Sequence, residues 1–353
     1  MINHTSFRAR DYADTLNVLK PFVKLTGITR LADITYLDYV NIPVCTAIRP
    51  RAKSLTTSQG KGITKEAAQC SALMESIEVY FAEELKPELF NVSEHDLIKS
   101  GKSFIPINHL AKSVRFTNQK LPINWISAKL LFSNKSVLVP FAEYSLNSYL
   151  PEVLIYSPDS TGLAGGNTYN EALLHGILEV IERQDVHCEN HIHYFESQLI
   201  NKISSCLNLS ITYKENNYRI PSFEVLIKSK KTFENQILFK GNGCHIDKTI
   251  ALNRAITEAI QSRLTTIAGS RDDLINTKYY SGFSEFPNIT NKKNFTEVLD
   301  YSAKTIEEAI SILFRKIQAN NEDILVYTYY DKEICIVKVK LISMDLLNQC
   351  MTQ

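Results

Sequence analysis

The chain has 353 residues, of which 44% are hydrophobic and 22% charged, an ordinary globular composition with ample material for a buried core. Lys and Arg number 39 against 38 Asp and Glu, so a formal charge of +1 gives no general pull toward nucleic acid or an anionic membrane, and any anion site must be local. The 7 cysteines are scattered without a CxxC pair, the N-terminus MINHTSFRARDYADTL has no apolar signal, and no run approaches a membrane-spanning length; a cytoplasmic protein with reduced thiols is expected.

In chain order, the amphipathic stretch Tyr12 to Val23 predicts a first helix. Residues 32–50, ADITYLDYVNIPVCTAIRP, read as strand, with β-branched residues and a buried run IPVCTAI. Residues 63–85 carry apolar side chains at helical spacing. Residues 104–156 alternate short apolar runs with turn residues and predict several strands. A second long helix is expected over 168–187, strands over 219–228 and 236–240, and a third long helix over 248–267. The Asn-rich stretch 275–300 reads as loop. A helix over 304–319 and a strand pair, 323–330 and 333–341, close the chain. Helices and strands are mixed with no low-complexity linker, so the expected fold class is mixed α/β in one integrated domain, 1–353.

The three long helices share a layout. Each follows what reads as a glycine-rich turn: SQGKG at 58–62, GLAGGN at 162–167 and GNGCH at 241–245. Gly62 lies 9, 13 and 16 residues before Ser71, Glu75 and Glu78, and Gly166 lies at the same three distances before His175, Glu179 and Glu182. In the third segment Arg254, Glu258 and Gln261 repeat the 0, 4, 7 spacing with the glycine slightly further back. Residues at i, i+4 and i+7 share a helix face. Two Glu at i, i+3 repel, which an isolated helix gains nothing from, but a divalent cation between them reverses the sign. Mg²⁺ takes carboxylate, water and phosphate oxygens. A solvated acidic face is the bland alternative. The flanks Leu73, Met74, Ile77, Leu178, Val180 and Ile181 weigh against it, because they predict largely buried helices on which acids need partners.

Lys61, Arg183, Arg254, Arg263 and Arg271 supply cations near these segments, and arginine grips phosphate in bidentate fashion. The glycine segments precede helix N-termini, where free N–H groups favour anions. Neither GxxxxGK[ST] nor a strand-borne GxGxxG is present, so a P-loop and a dinucleotide fold have no support. Other constellations are weaker. His187, His191 and His193 with Cys188 form HCENHIH, in which His187 and His191 share a face if the helix continues, as a zinc site needs; surface or capping histidines are the plainer reading. Asp272 and Asp273 read equally as a third acid pair or a helix-end turn. Cys244 reads as a buried thiol rather than a sulfur carrier, and Arg49, Arg51 and Lys53 as an exposed basic loop or a seat for an acidic peptide.

SQGKGITKEAAQCSALMESIE, GLAGGNTYNEALLHGILEVIERQDV and ALNRAITEAIQSRLTTIAGSRDDL resemble the three signature regions of YcaO-domain proteins, here 58–84, 162–187 and 241–273. Residues 27–50 are also similar to that family, in wording nearest the branch encoded beside TfuA-type proteins, and the resemblance runs from about residue 8 to 275. It implies a YcaO-type fold with the glycine-turn and helix pseudo-repeat, which binds ATP and Mg²⁺ and phosphorylates a backbone amide oxygen of a precursor peptide. Loss of phosphate then gives an azoline with a side-chain nucleophile, a thioamide with sulfide or an amidine with an amine; the TfuA-associated branch implies a thioamide and a TfuA-like partner. By motif, Glu75, Glu78, Glu179 and Glu182 would be metal ligands. Ser71, Lys61, Arg183, Glu258, Gln261 and Arg263 would contact the nucleotide or order its site, with Arg8 and Thr15 at the nucleoside. A homodimer is left open. Two departures stand out. Val79 takes the place of the arginine of ExxER, and the ending LLNQCMTQ lacks the proline-rich tail of azoline-forming members. The tail tilts the expectation toward a thioamide. Val79 and the altered C-terminus motivate a rival of another class, a non-catalytic nucleotide-binding scaffold, against which the four intact acids argue.

Overall fold

A computed structural model describes the chain except residues 1, 4–5, 111–117, 151–158, 185, 193–196, 232–236, 270–284 and 352–353. Helices and strands are mixed, as expected. The chain divides into two compact units, the first made of 1–51, 55–76 and 181–309, the second of 52–54, 77–180 and 310–353.

The three segments read as glycine turns are instead strands, Thr57–Lys61, Leu163–Gly166 and Phe239–Cys244, and each leads into a long helix, Lys65–Glu83, Tyr169–Glu182 and Lys248–Ala268. Their glycines serve packing. A Cβ on Gly60 would lie 2.0 Å from the backbone nitrogen of Ala72, and one on Gly243 would lie 2.2 Å from the carbonyl oxygen of Ala251. Backbone meets backbone here, glycine on the strand against alanine on the helix, and no side chain fits between.

In the first unit, an antiparallel sheet runs in the order Phe239–Cys244, Ser222–Ser229, Leu207–Glu215 and Cys188–Ile192, with Lys292–Lys293 added in parallel at its edge. The third long helix lays Ala251, Leu252, Ala255, Ile256, Ala259 and Ile260 into one core with Ile211, Phe223, Val225 and Ile227. Asp247 caps its start by accepting from the N–H groups of Thr249 and Ile250, and Gly269 ends it at φ 57°, in the left-handed region. A smaller antiparallel sheet joins Arg30–Asp33, Val44–Ile48 and the first glycine strand. The predicted first helix spans Tyr12–Thr26, ended by Gly27.

In the second unit, the sheet order is Leu89–Val92, Ile123–Leu130, Glu322–Asp331, Cys335–Ser343 and Leu163–Gly166, with Ser136–Pro140 also on Ile123–Leu130. The closing strand pair meets in the register Val326 to Val339, and Val337 faces Ala164 of the second glycine strand.

The second long helix ends at Glu182, five residues short of the expected 187. Its apolar stripe stops at Ile181, because the positions three and four residues on are the polar Gln184 and Asp185. The chain turns instead into Cys188–Ile192, with Cys188 opposite Glu215 and His191 opposite Thr212. The expected shared helix face of His187 and His191 therefore does not exist. No helix among the described residues is long and apolar enough to cross a membrane.

Candidate functional site

Each long helix offers a carboxylate to the backbone of a glycine strand. In the second unit the N–H of Gly165 donates to Glu78 Oε1 at 2.6 Å, and His175 Nδ1 lies 3.4 Å from the carbonyl oxygen of the same glycine. In the first unit the N–H of Cys244 donates to Glu182 Oε2 at 3.0 Å, and that of Asn242 to Glu258 Oε1 at 3.2 Å. Hydrogen bonds to an ionised acceptor are short and directional, so these contacts fix carboxylate orientation. The periodicity placed the acids on common faces; it carried no sign of these backbone partners, because the glycine segments read as turns.

Of the flanks, Leu73, Met74, Ile77, Leu178 and Ile181 are buried as expected, while Val180 is half-buried. The acids are less so. Glu75 is exposed, and Glu78, Glu179 and Glu182 are half-buried. They lie on the less covered side of helices whose other sides are packed, so the helices are largely buried as expected but their acids are less so. Ser71 is half-buried and Arg183 exposed.

The third long helix meets the first glycine strand within the first unit. Lys61 pairs with Glu258, and Gln261 Nε2 donates to the carbonyl oxygen of Gln59 at 3.2 Å. Burial raises the proton affinity of Glu258, but Lys61, the Asn242 N–H and Arg254 outweigh it and hold the carboxyl below its ordinary 4.5. A depressed folded value contributes stability above the unfolded value of about 4.5, lost as pH falls through the folded one. Lys61→Met is expected to flatten the fall in stability below pH ~4.5, measured as denaturant midpoints from pH 7 to 3. Arg263 is engaged elsewhere: its Nε lies 2.9 Å from Asp38 Oδ2, with the side chains 7% and 1% exposed. Its guanidinium also sits over the rings of Tyr39 and Phe239.

Sequence reasoning missed His245. Its ring is fully buried against Phe7, edge on, at 4.9 Å. Nδ1 accepts from the Asp247 N–H at 3.1 Å. Burial first, then the charge of Arg254, push its pKa down to about 3, so the ring is neutral and carries its proton on Nε2. Among the described residues that N–H has no hydrogen-bond partner, and neither does Nε of Arg254. Two such buried donors call for an acceptor. The signal was present in GNGCH, a histidine directly after a glycine strand. Arg8 is half-buried and its charge also acts on His245, while Thr15 is buried and its hydroxyl donates to the carbonyl oxygen of Asp11 at 2.7 Å. Cys244 is buried, and burial with the charge of Glu182 pushes its thiol well up, as a structural thiol requires.

Hard carboxylate oxygens are what Mg²⁺ takes, and orphaned cationic and neutral N–H donors suit phosphate, so the residues fit a magnesium–nucleotide pair in chemistry. Among the described residues no group of three or more His, Cys, Asp or Glu is preassembled for a metal. Of the histidine cluster, His187 bonds Asn217 and His191 lies on a strand, so the two do not share a helix face. His193, Arg271, Asp272 and Asp273 lie outside the described residues.

A family model described as YcaO cyclodehydratase, ATP- and Mg²⁺-binding, matches residues 59–344. An uncharacterised protein of Mycobacterium tuberculosis is 33% identical over 299 residues, 78% of this chain; the chain spans only 66% of that relative's length. An uncharacterised protein from the tfuA 3' region of Rhizobium leguminosarum bv. trifolii is 33% identical over 288 residues, covering 75% of this chain and 69% of its own. The fold is similar to that of YcaO from Methanopyrus kandleri bound with AMPPCP and Mg²⁺, at a TM-score of 0.74 and 18% identity over 99% of this chain and 96% of that one.

Proposed function

The chain belongs to the YcaO family, and from that premise we propose that it uses ATP and Mg²⁺ to phosphorylate a backbone amide oxygen of a precursor peptide, for thioamide formation with a TfuA-like partner. The observation that carries the reading is the pair of acid-bearing helices at matched spacing inside the family match, with Glu78 and Glu182 each oriented by a glycine-strand N–H. The relative from the tfuA 3' region supports the choice of partner.

Glu75, Glu78, Glu179 and Glu182 would hold Mg²⁺. The N–H groups of His245 and Arg254 would take phosphate oxygens, with Lys61, Glu258 and Gln261 holding the third helix in register beside them and Arg263 anchoring it to Asp38. Ser71, Arg183, Arg8 and Thr15 remain nucleotide-contact assignments. An amide oxygen is a poor leaving group, and the bound nucleotide supplies the phosphoryl group that turns it into a good one. The chain's part is to position the peptide oxygen and neutralise phosphate charge without needing to reorganise. Because His245 is neutral across the physiological range, its donation does not vary with pH there.

The test is ATP turnover by purified protein with Mg²⁺, candidate precursor peptide and TfuA-like protein, each omitted in turn. The reading expects turnover only in the complete mixture and a peptide mass change matching oxygen-to-sulfur exchange when sulfide is present. Loss of water from the peptide would instead identify an azoline former. Nucleotide binding without turnover in any mixture would identify a scaffold.

A further inference from the structure

The strand Leu207–Glu215, in the first unit, is paired unevenly. On one side Ser222–Ser229 accompanies it from Leu207 to Tyr213. On the other, Cys188–Ile192 pairs with it only from Glu215 to Thr212, where His191 is the last partner. Among the described residues no strand pairs with Leu207–Ile211 on that side. An open strand edge is a template for another chain, and proteins usually shorten, bulge or cover it.

A groove of about 330 Å³ opens along this stretch. Ile192, Ile200, Leu207 and Ile211 line it from the core of the first unit, with Leu209 partly buried beside them. The volume lies at the lower end of the ligand-pocket range and fits a few aliphatic side chains. The outer face of the sheet differs in character. Residues directly opposed in an antiparallel pair share a face, and successive residues alternate between faces. Leu207 opposes Ser229 and Leu209 opposes Ile227, on the core side, whereas Asn208 opposes Lys228 on the outer side. Lys230, two residues beyond Lys228, is exposed at the rim of the groove, and its ammonium donates to the carbonyl oxygen of Ser204 in the helix Gln198–Cys206. No carboxylate stands among the described residues that line the groove.

We propose that the Leu207–Ile211 edge docks an extended segment of the precursor peptide in which aliphatic and acidic residues alternate. The segment adds to the sheet as a further strand. Main-chain hydrogen bonds hold it, its aliphatic side chains enter the groove, and its acidic ones lie on the outer face with Lys228 and Lys230. The period of two along the peptide matches the apolar and basic faces of the strand pair it joins. This rests on the reading that a peptide is the substrate.

The probe is a fluorescein-labelled peptide of alternating Leu and Glu, titrated with the full chain in the absence of nucleotide and read by anisotropy. It is expected to bind, about tenfold more weakly to Lys230→Glu and to Lys228→Glu, each of which reverses one charge. The counterpart of alternating Leu and Lys is expected to bind at least about tenfold more weakly than the acidic probe on the same grounds. Only every second residue of an added strand turns its N–H toward its neighbour. N-methylation of all the Leu residues or of all the Glu residues is therefore expected to differ: one abolishes binding and the other leaves it. These modified probes act on the wild-type chain, so they decide the matter even where a lysine variant does not fold. Absence of binding, equal binding of the two N-methylated probes, or equal binding of the Leu–Lys peptide overturns the proposal. A dimer that is lost in Lys230→Glu, seen by sedimentation, would give the edge to a second copy of the chain and overturn it likewise. Failure of the proposed reaction shows separately, as a probe that binds this edge while no mixture turns over ATP.

Discussion

Glu179→Gln is expected to lower peptide-dependent ATP turnover by roughly 10³-fold or more, about 4 kcal/mol of transition-state stabilisation, while leaving the thermal midpoint within a few degrees of wild type. The size follows from what the substitution removes. Gln keeps the shape of Glu and can still hydrogen-bond, but it lacks the negative charge that a hard divalent ion requires. Glu179 is half-buried near the end of its helix, so the change opens no cavity. The loss should appear in turnover and in Mg²⁺-dependent AMPPCP binding together. Turnover close to wild type in a folded Glu179→Gln protein would remove this residue from the metal site.

Asp38→Ala is expected to destabilise the fold by about 3–5 kcal/mol, the cost of leaving a buried partner charge uncompensated. Asp38 accepts from both Nε and a terminal nitrogen of Arg263, at 2.9 and 3.3 Å, and from the backbone N–H of Tyr39. Its side chain is 1% exposed. Removing it strands a guanidinium among Tyr39, Phe239 and the core of the third long helix. Replacing both partners with apolar residues, Asp38→Leu with Arg263→Met, is expected to recover most of that loss, because no charge then remains buried. Urea midpoints of the two single variants and the double variant check this. Additive losses would show that Arg263 is held by something other than Asp38. The same series bears on role: if Arg263 orders the site rather than touching nucleotide, the double variant keeps its affinity for AMPPCP.

Much of the frame was legible because the three long helices carry apolar residues at helical period over a dozen or more positions. Their acids were legible by spacing alone. The glycine segments were misread because glycine before a helix usually marks a turn. Here it marks a strand pressed onto alanines of the helix, and that contact is long-range in nature, so no local pattern reports it. The burial of the acids was overestimated for a related reason: apolar neighbours at i±1 lie on other sides of a helix and say little about the face between them. His245 escaped notice because its value as a donor depends on Asp247 fixing its tautomer and Phe7 excluding water. The strand Leu207–Glu215 and the helix Gln198–Cys206 were missed where polar residues interrupt the apolar alternation.

The most direct test of the central claim follows the amide oxygen. A precursor peptide carrying ¹⁸O at the modified amide is incubated with ATP, Mg²⁺, sulfide, the TfuA-like protein and this chain, and the phosphate released is examined by mass spectrometry. If the enzyme phosphorylates that oxygen, the label leaves the peptide and appears in inorganic phosphate, one ¹⁸O for each amide converted. Modified peptide formed alongside unlabelled phosphate would contradict the account, since the nucleotide would then be spent somewhere other than on the amide.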